Sequence, residues 1–136
     1  MSTLSIFDAA REAPDELALM DGPSALSFRE AAERAAPLAQ ALLQQRLPAL
    51  ALTPRADTQS LLWLYAAFAT GTPVLTLHAR ATAAERALAI ARCGATEPPP
   101  AASTAVDLDA LPTISQASTL AFIPTSGSTG TPRLVE

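Results

Sequence analysis

The sequence has one cysteine, one histidine and no lysine. Cys93 has no partner for an internal disulfide, which is typical of a reducing compartment. The Met-Ser-Thr start lacks the basic and apolar regions of a signal peptide, so we expect a cytoplasmic protein. Nine basic residues, all arginine, are outnumbered by 13 acidic ones, for a formal net charge of −4. This balance argues against a nucleic-acid partner, because neutralising phosphates requires clustered basic side chains.

Long uninterrupted apolar runs are also missing. Residues 61–77 are largely apolar, but Thr70, Gly71, Thr72 and Pro73 interrupt them, so we expect no membrane span. Aromatic residues make up only 4% of the chain, whereas hydrophobic residues of all kinds make up 49%. A chain of 136 residues with this content can bury the core of about one domain. That core has to be built mainly from alanine and leucine, which requires helices to approach closely.

The few reactive side chains form no recognisable catalytic or metal-binding set. With one histidine in the chain, neither a Ser-His-Asp arrangement nor a Cys/His cluster is credible. His78 follows a predicted strand, where a site residue could lie, but a surface position in a loop is the simpler interpretation. Cys93 is expected to be a small core residue on a helix, and Trp63 and Tyr65 are expected to pack within a buried helix. We therefore assign no catalytic residue and no metal ligand.

Apolar periodicity and capping signals predict helices over residues 2–11, 28–45, 57–70 and 82–93. Ser2 or Thr3 is expected to cap the first helix. Ser27 and Glu30 form a capping box for the second helix, which also contains Pro37. The third helix is apolar on almost every side, as is typical of a helix buried between layers.

The predicted strands cover residues 17–20, 25–28, 49–53, 73–77 and 120–123. The first two flank a turn and are expected to form a small hairpin. The other three alternate with long helices, which is typical of βαβ units. The sequence therefore predicts an α/β fold: a parallel sheet flanked by helices, with a small N-terminal β-hairpin.

Composition divides the chain into three segments. Residues 1–97 are expected to form an α/β N-terminal subdomain. Residues 98–118 are rich in proline, alanine and serine, and are expected to be a linker with a possible short strand. Residues 119–136 are expected to form a strand followed by a phosphate-binding loop.

The loop is the most informative part of the chain. Seven small residues, Thr-Ser-Gly-Ser-Thr-Gly-Thr, follow the last apolar strand. The glycines allow successive backbone N–H groups to point into one concavity, hydroxyl groups add donors, and Arg133 adds a permanent positive charge. An ordinary polar linker would have a similar composition, so this alternative stays open. The segment is not a Walker A loop, because Pro132 and Arg133 stand where a Gly-Lys pair would be required.

These residues resemble the signature loop of the adenylate-forming superfamily, which has the pattern T-S-G-[ST]-T-G-x-P-K-G. The similarity is unbroken from Thr125 through Pro132, while Arg133 replaces the usual lysine and Leu134 the usual glycine. The helix that starts at Phe28 is similar to the opening helix of the family, and the stretch around Gly71 and Pro73 is similar to a second family pattern. The resemblance implies a partial N-terminal domain of an adenylate-forming enzyme.

For a complete enzyme, the resemblance implies that ATP activates a carboxylic acid as an acyl-adenylate with the help of Mg²⁺. The acyl group then passes to a thiol, either coenzyme A or a carrier phosphopantetheine. The residues expected to bind the nucleotide phosphates are Thr125, Ser126, Gly127, Ser128, Thr129, Gly130 and Arg133.

The family's other catalytic motifs lie beyond this loop, so these residues alone are expected to be inactive. Two alternatives from other classes remain: a stand-alone nucleotide- or phosphate-binding module, and a non-catalytic assembly fragment. An incomplete sheet would expose an edge, so self-association is also possible.

Overall fold

The computed structural model describes residues 5–99, 121–125 and 133–135. Four helices alternate with strands over most of this part of the chain. The helices are α1 (Ile6–Glu12), α2 (Phe28–Gln45), α3 (Thr58–Thr70) and α4 (Ala83–Cys93). The strands are β1 (Leu17–Asp21), β2 (Ser24–Ser27), β3 (Ala49–Leu52), β4 (Val74–Thr76), β5 (Ala95–Thr96), β6 (Ala121–Thr125) and β7 (Arg133–Val135).

Side-chain caps define the start of α2. The Ser27 hydroxyl accepts a hydrogen bond from the Glu30 amide at 3.2 Å, and the Glu30 carboxylate accepts one from the Ser27 amide at 2.8 Å. Both bonds satisfy amide groups that have no partner within the helix. The helix then continues through Pro37 to its predicted end.

The helices α3 and α4 begin and end by the same kinds of signal. Asp57 caps α3 through a 2.8 Å bond from the Ser60 amide, and Thr82 forms a capping box with Glu85 at the start of α4. Both helices end at a glycine in the left-handed region, with φ of 66° at Gly71 and 62° at Gly94. Glycine has no Cβ to clash in this conformation, so it is a favourable stop.

The main sheet has the strand order β5-β3-β4-β6-β7. Strands β5, β3, β4 and β6 are parallel, and β7 returns antiparallel to β6. Strands β1 and β2 form a separate antiparallel hairpin. The predicted α/β fold, with a helix-flanked parallel sheet and an N-terminal hairpin, is confirmed.

The alternation of side chains along the strands divides the core between the two faces of the sheet. On one face, Leu50, Leu52 and Val74 belong to a buried cluster with residues of α1, α2 and α3. On the other face, Leu75 and Leu77 belong to a cluster that includes Ala89 of α4. Much of the first cluster is alanine that is fully buried, namely Ala31, Ala32, Ala35, Ala39, Ala66 and Ala67. The helices can therefore lie close together, as the composition predicted.

Two predictions about local structure were wrong. The cap of α1 is Ser5, whose hydroxyl accepts a bond from the Phe7 amide at 3.3 Å, rather than Ser2 or Thr3. Pro124 does not end the last parallel strand, because β6 continues to Thr125 along its antiparallel partner. Proline is tolerated there because Pro124 lies beyond the last residue pair that joins β6 to β4.

The short strand β5 was not predicted at all. Two residues carry no periodic signal, and their extended conformation comes from pairing with Ala49 and Leu50 of β3. Most of the predicted linker, including its possible short strand, lies outside the described residues.

Candidate functional site

The carboxyl ends of β3, β4 and β6 meet at one edge of the sheet because these strands are parallel. At this edge the chain continues from β3 into Thr53 and Pro54, and from β4 into Leu77 and His78. The Leu77 amide still donates to the Leu52 carbonyl at 2.8 Å, so the two strand ends stay together. Ligands of open parallel sheets bind at the carboxyl ends of the strands, so this edge is the candidate site.

The predicted phosphate-binding segment begins and ends at this edge. Thr125 is the last residue of β6, Arg133 is the first residue of β7, and the two are paired across the antiparallel ladder. The structure therefore brings the two ends of the segment opposite one another. The other predicted phosphate-binding residues, Ser126, Gly127, Ser128, Thr129 and Gly130, lie outside the described residues.

An open cleft of about 370 Å³ lies at the same edge. Three separate parts of the chain contribute to it: the segment after β3, the end of β4 with the turn that follows, and β6. Its lining residues are Pro54, Thr76, Leu77, His78, Ala79 and Ile123. We call this space the His78 cleft.

His78 lies in an exposed turn at the mouth of this cleft, in agreement with the surface-loop interpretation of the sequence. Its Nδ1 accepts a hydrogen bond from the Arg80 amide at 3.0 Å. The His78 carbonyl accepts a second bond, from the Ala81 amide at 3.0 Å. Because Nδ1 is an acceptor, the neutral ring carries its proton on Nε2.

Arg86 approaches the same edge from α4. One of its guanidinium nitrogens donates to the Thr53 hydroxyl at 3.0 Å, in a partly buried environment. Within the described ranges, no carboxylate forms an ion pair with Arg86. Arg86 therefore places a positive charge beside the end of β3, where the Thr53 hydroxyl accepts its hydrogen bond.

The carboxylates near this edge are occupied in helix caps. Hydrogen bonding to the backbone of Ser60, followed by bonding to its side chain, lowers the pKa of Asp57. Glu85 accepts a bond from the Thr82 amide at 3.1 Å. Among the residues that the structure describes, no group of acidic, histidine and cysteine side chains is suited to hold a metal ion.

The other residues considered from the sequence have packing roles. Trp63 is 7% exposed and belongs to the helical side of the core, and Tyr65 packs against the same cluster. Cys93 packs against the cluster beneath α4, and burial raises the pKa of its thiol. No helix in the described part of the chain is long and apolar enough to cross a membrane.

Sequence reasoning missed the His78 cleft, although it had considered His78 itself. The signal that could have indicated the cleft is the position of Pro54 and His78, each immediately beyond a parallel strand. Ile123 gave no such signal, because an isoleucine in a central strand is expected to be buried, whereas it is 51% exposed.

Comparison with known proteins gives a fold assignment. No family model and no curated protein sequence matches the chain. Solved structures do match, among them an adenylate-forming enzyme and the N-terminal subdomain of another. The structure therefore has the fold of the N-terminal subdomain of adenylate-forming enzymes, as the loop resemblance predicted.

Two proteins illustrate the similarity. The N-terminal subdomain of Klebsiella oxytoca NpsA, solved with 3-hydroxyanthranilyl-AMSN, matches with a TM-score of 0.77 and 20% identity over 96% of this chain. The o-succinylbenzoate-CoA synthetase MenE of Bacillus subtilis, solved with the acyl-adenylate OSB-AMP, matches with a TM-score of 0.79 and 15% identity over 99% of this chain. The same enzyme solved with ATP and a magnesium ion matches with a TM-score of 0.75 and 16% identity. The present chain spans between 33% and 41% of the length of these solved chains.

Proposed function

We propose that this chain is the N-terminal part of an ATP-dependent, acyl- or aryl-CoA-ligase-like enzyme of the cytoplasm. The complete enzyme would activate a carboxylic acid by attack of its carboxylate on the α-phosphate of ATP, which releases pyrophosphate. The resulting acyl-adenylate would then pass its acyl group to coenzyme A or to a carrier phosphopantetheine.

The observation that carries this proposal is the position of the glycine- and hydroxyl-rich segment. Its ends, Thr125 and Arg133, are paired at the carboxyl edge of a parallel sheet, which is where such sheets bind ligands. The fold adds support, because MenE, which shares it, has been solved with ATP and magnesium and with an acyl-adenylate.

Each residue of the segment has a proposed role. The amides and hydroxyls of residues 125–130 bind the β- and γ-phosphates, since several donors converging on phosphate oxygens stabilise their charge. Arg133 adds positive charge beside the leaving pyrophosphate. Magnesium supplies further charge neutralisation in such reactions. The described residues include no carboxylate cluster suited to this ion, so we assign it no ligand in this part of the chain.

We further propose that these 136 residues bind phosphates without completing a catalytic cycle. They correspond in length to between 33% and 41% of the matched chains. The phosphate-binding segment is one part of the machinery, and neither the acid-binding groups nor the thiol-binding groups are assigned to residues of this chain.

Calorimetric titration of the 136-residue chain with ATP and magnesium, pyrophosphate and AMP tests the proposal. We expect ATP and pyrophosphate to bind, and AMP to bind much more weakly because it lacks the β- and γ-phosphates. The double variant Ser128→Ala/Thr129→Ala should weaken ATP binding by at least about tenfold, since each hydrogen bond to a charged group contributes about 1.5–3 kcal/mol.

A matched variant controls for nonspecific effects of removing hydroxyls. Ser24→Ala/Thr96→Ala removes the same two hydroxyl types at exposed positions of β2 and β5, and it should leave ATP binding unchanged. Equal effects of the two double variants, or the absence of any phosphate binding, would contradict the proposed loop. Sustained pyrophosphate release from ATP and a panel of carboxylic acids would contradict the proposed inactivity.

A further inference from the structure

The helix α4 contributes little to the core of its own chain. Ala89 is its only fully buried residue, whereas α2 and α3 bury many residues each. The side of α4 that points away from the sheet is nevertheless apolar, although a surface helix usually has polar residues there. It consists of Leu88, which is 43% exposed, and three exposed alanines at helical spacing, Ala84, Ala87 and Ala91. We call these four residues the α4 outer face.

Two exposed charges of opposite sign flank this face on the same side. Glu85 and Arg92 are seven residues apart in the helix, so they differ by only about 20° around its axis and by about 10 Å along it. The midpoint between them lies beside Leu88. A second copy of α4 that runs antiparallel, about a two-fold axis through this point, therefore has its Arg92 opposite Glu85 and its Glu85 opposite Arg92.

Both charged side chains can form such a contact while keeping their bonds within the chain. Glu85 accepts the bond from the Thr82 amide through Oε2, so its other oxygen can accept a bond from a second copy. The Arg92 guanidinium has five N–H donors, so it can bind a carboxylate of the second copy in addition to its interaction within the chain. A parallel arrangement would instead place like charges opposite one another. The charges therefore select an antiparallel partner.

We propose that the α4 outer face binds a second copy of this chain as an antiparallel helix pair. Leu88 of each copy packs near the two-fold axis, the alanines allow the helix backbones to approach closely, and two Glu85–Arg92 contacts fix the register. A helix of 11 residues buries less area than stable dimers require, so we expect a dissociation constant on the order of 0.1–1 mM. This surface uses none of the residues assigned to phosphate binding, so its test is independent of the proposed function.

Sedimentation equilibrium of the full 136-residue chain measures this association directly. Between roughly 20 μM and 2 mM, a range that brackets the expected dissociation constant, the average mass should rise from that of a monomer toward that of a dimer. Leu88→Asn should weaken association at least about tenfold, because one leucine of each copy is no longer buried in the pair. Leu17→Asn is the matched control: Leu17 is 57% exposed on β1, and its replacement should leave association unchanged.

Charge variants test the register of the pair. Glu85→Arg and Arg92→Glu each place like charges opposite one another, so each variant alone should associate several-fold more weakly than wild type. An equimolar mixture of these two variants restores opposite charges at both contacts, and it should associate more strongly than either variant alone. Arg34→Glu makes the same change of net charge as Arg92→Glu at an exposed position of α2, and it should leave association unchanged.

Three outcomes would overturn the proposal. A chain that stays monomeric up to about 2 mM would assign the α4 outer face to a different partner. Association that Leu17→Asn weakens as much as Leu88→Asn does, or that neither variant weakens, would place the interface elsewhere, for example at an edge of the sheet. A mixture of the charge variants that associates no better than each alone would refute the antiparallel register. Glu85→Arg removes a capping bond, whereas Leu88 and Arg92 are exposed and their variants should keep the wild-type circular dichroism spectrum, so Leu88→Asn decides the test even if Glu85→Arg is unfolded.

Discussion

Replacing Leu50 by alanine should destabilise the protein by about 4 kcal/mol, in the upper part of the range for such substitutions. Leu50 is completely buried, and its strand β3 is paired on both sides, with β5 and β4. The side chain belongs to the cluster shared by the sheet, α2 and α3, in which many helical residues are alanines.

The alanines are the reason for expecting a large effect. A cavity costs less when long neighbouring side chains change rotamer to fill it. Alanine has no side-chain rotamers, so the alanines of this cluster can help to fill the space left by Leu50 only by movement of the helix backbones. Because the free energy of unfolding of natural domains is only about 5–15 kcal/mol, the variant should lose a large share of its stability.

Equilibrium unfolding in urea, followed by far-UV circular dichroism, measures this change. Leu88→Ala is the matched control, because it removes the same atoms from a side chain that is 43% exposed on α4, and it should cost less than about 1 kcal/mol. Leu50→Val should cost about 1 kcal/mol, and it provides a measurable variant if Leu50→Ala is unfolded. A loss below about 1.5 kcal/mol for Leu50→Ala, with an unchanged denaturant slope, would show that the alanine-rich helices close the cavity, and would refute this reasoning.

Two further predictions concern the helix ends. Gly94→Ala should lower the free energy of unfolding by about 1 kcal/mol because φ at this position is +62°, although the new Cβ would make only an ordinary contact, 3.7 Å from Pro48. In urea unfolding, Gly94→Asn should have a stability between those of wild type and Gly94→Ala. A Gly94→Ala variant as stable as wild type would contradict the proposed backbone strain. Hydrogen bonding to the Ser27 backbone lowers the pKa of Glu30, and bonding to the Ser60 backbone lowers that of Asp57. The ionised Glu30 and Asp57 therefore stabilise the folded protein fully above the carboxyl pKa values of the unfolded chain. This stabilisation is lost as pH falls through the lower pKa values of the folded protein, below about pH 5. The Glu30→Gln/Asp57→Asn variant should show a smaller drop in urea midpoint between neutral and acidic pH, and an unchanged drop would contradict this assignment.

The helices were predictable because their limits depend on local signals. The capping box of Ser27 and Glu30 indicated the start of α2, and the apolar face, followed to Gln45, indicated its end. Similarly, Asp57 marks the start of α3 and Gly71 marks its end. These residues act on backbone groups within a few positions along the chain, so no knowledge of the tertiary fold is needed to interpret them.

The sheet was predictable in kind but not in every strand. Alternation of strands with long helices indicated parallel pairing, but β5 is extended only because β3 lies beside it. In the same way, Pro124 lies within β6 because β7 pairs with it. Such features follow from contacts between segments that are distant in the sequence, which periodicity does not record.

The two parts of the candidate site also differ in whether their residues are neighbours in the sequence. The phosphate-binding segment is continuous in sequence, so its residues could be proposed from a motif, and their binding role stays a prediction. The His78 cleft brings together Pro54, His78 and Ile123 from three segments. Only the parallel arrangement of their strands makes them neighbours.

The position of β6 has a consequence for the order of assembly. Strands β3, β4 and β5 are close to one another in the sequence. By contrast, residues 77–120 separate β6 from β4, the parallel strand with which it pairs. Pairing across such long separations is slow, because chain entropy is lost before contacts compensate for it. Until β6 arrives, one side of β4 has no strand to bond with and can capture a foreign strand instead. The carboxyl edge of the sheet is therefore completed late in folding, after the rest of the core has formed.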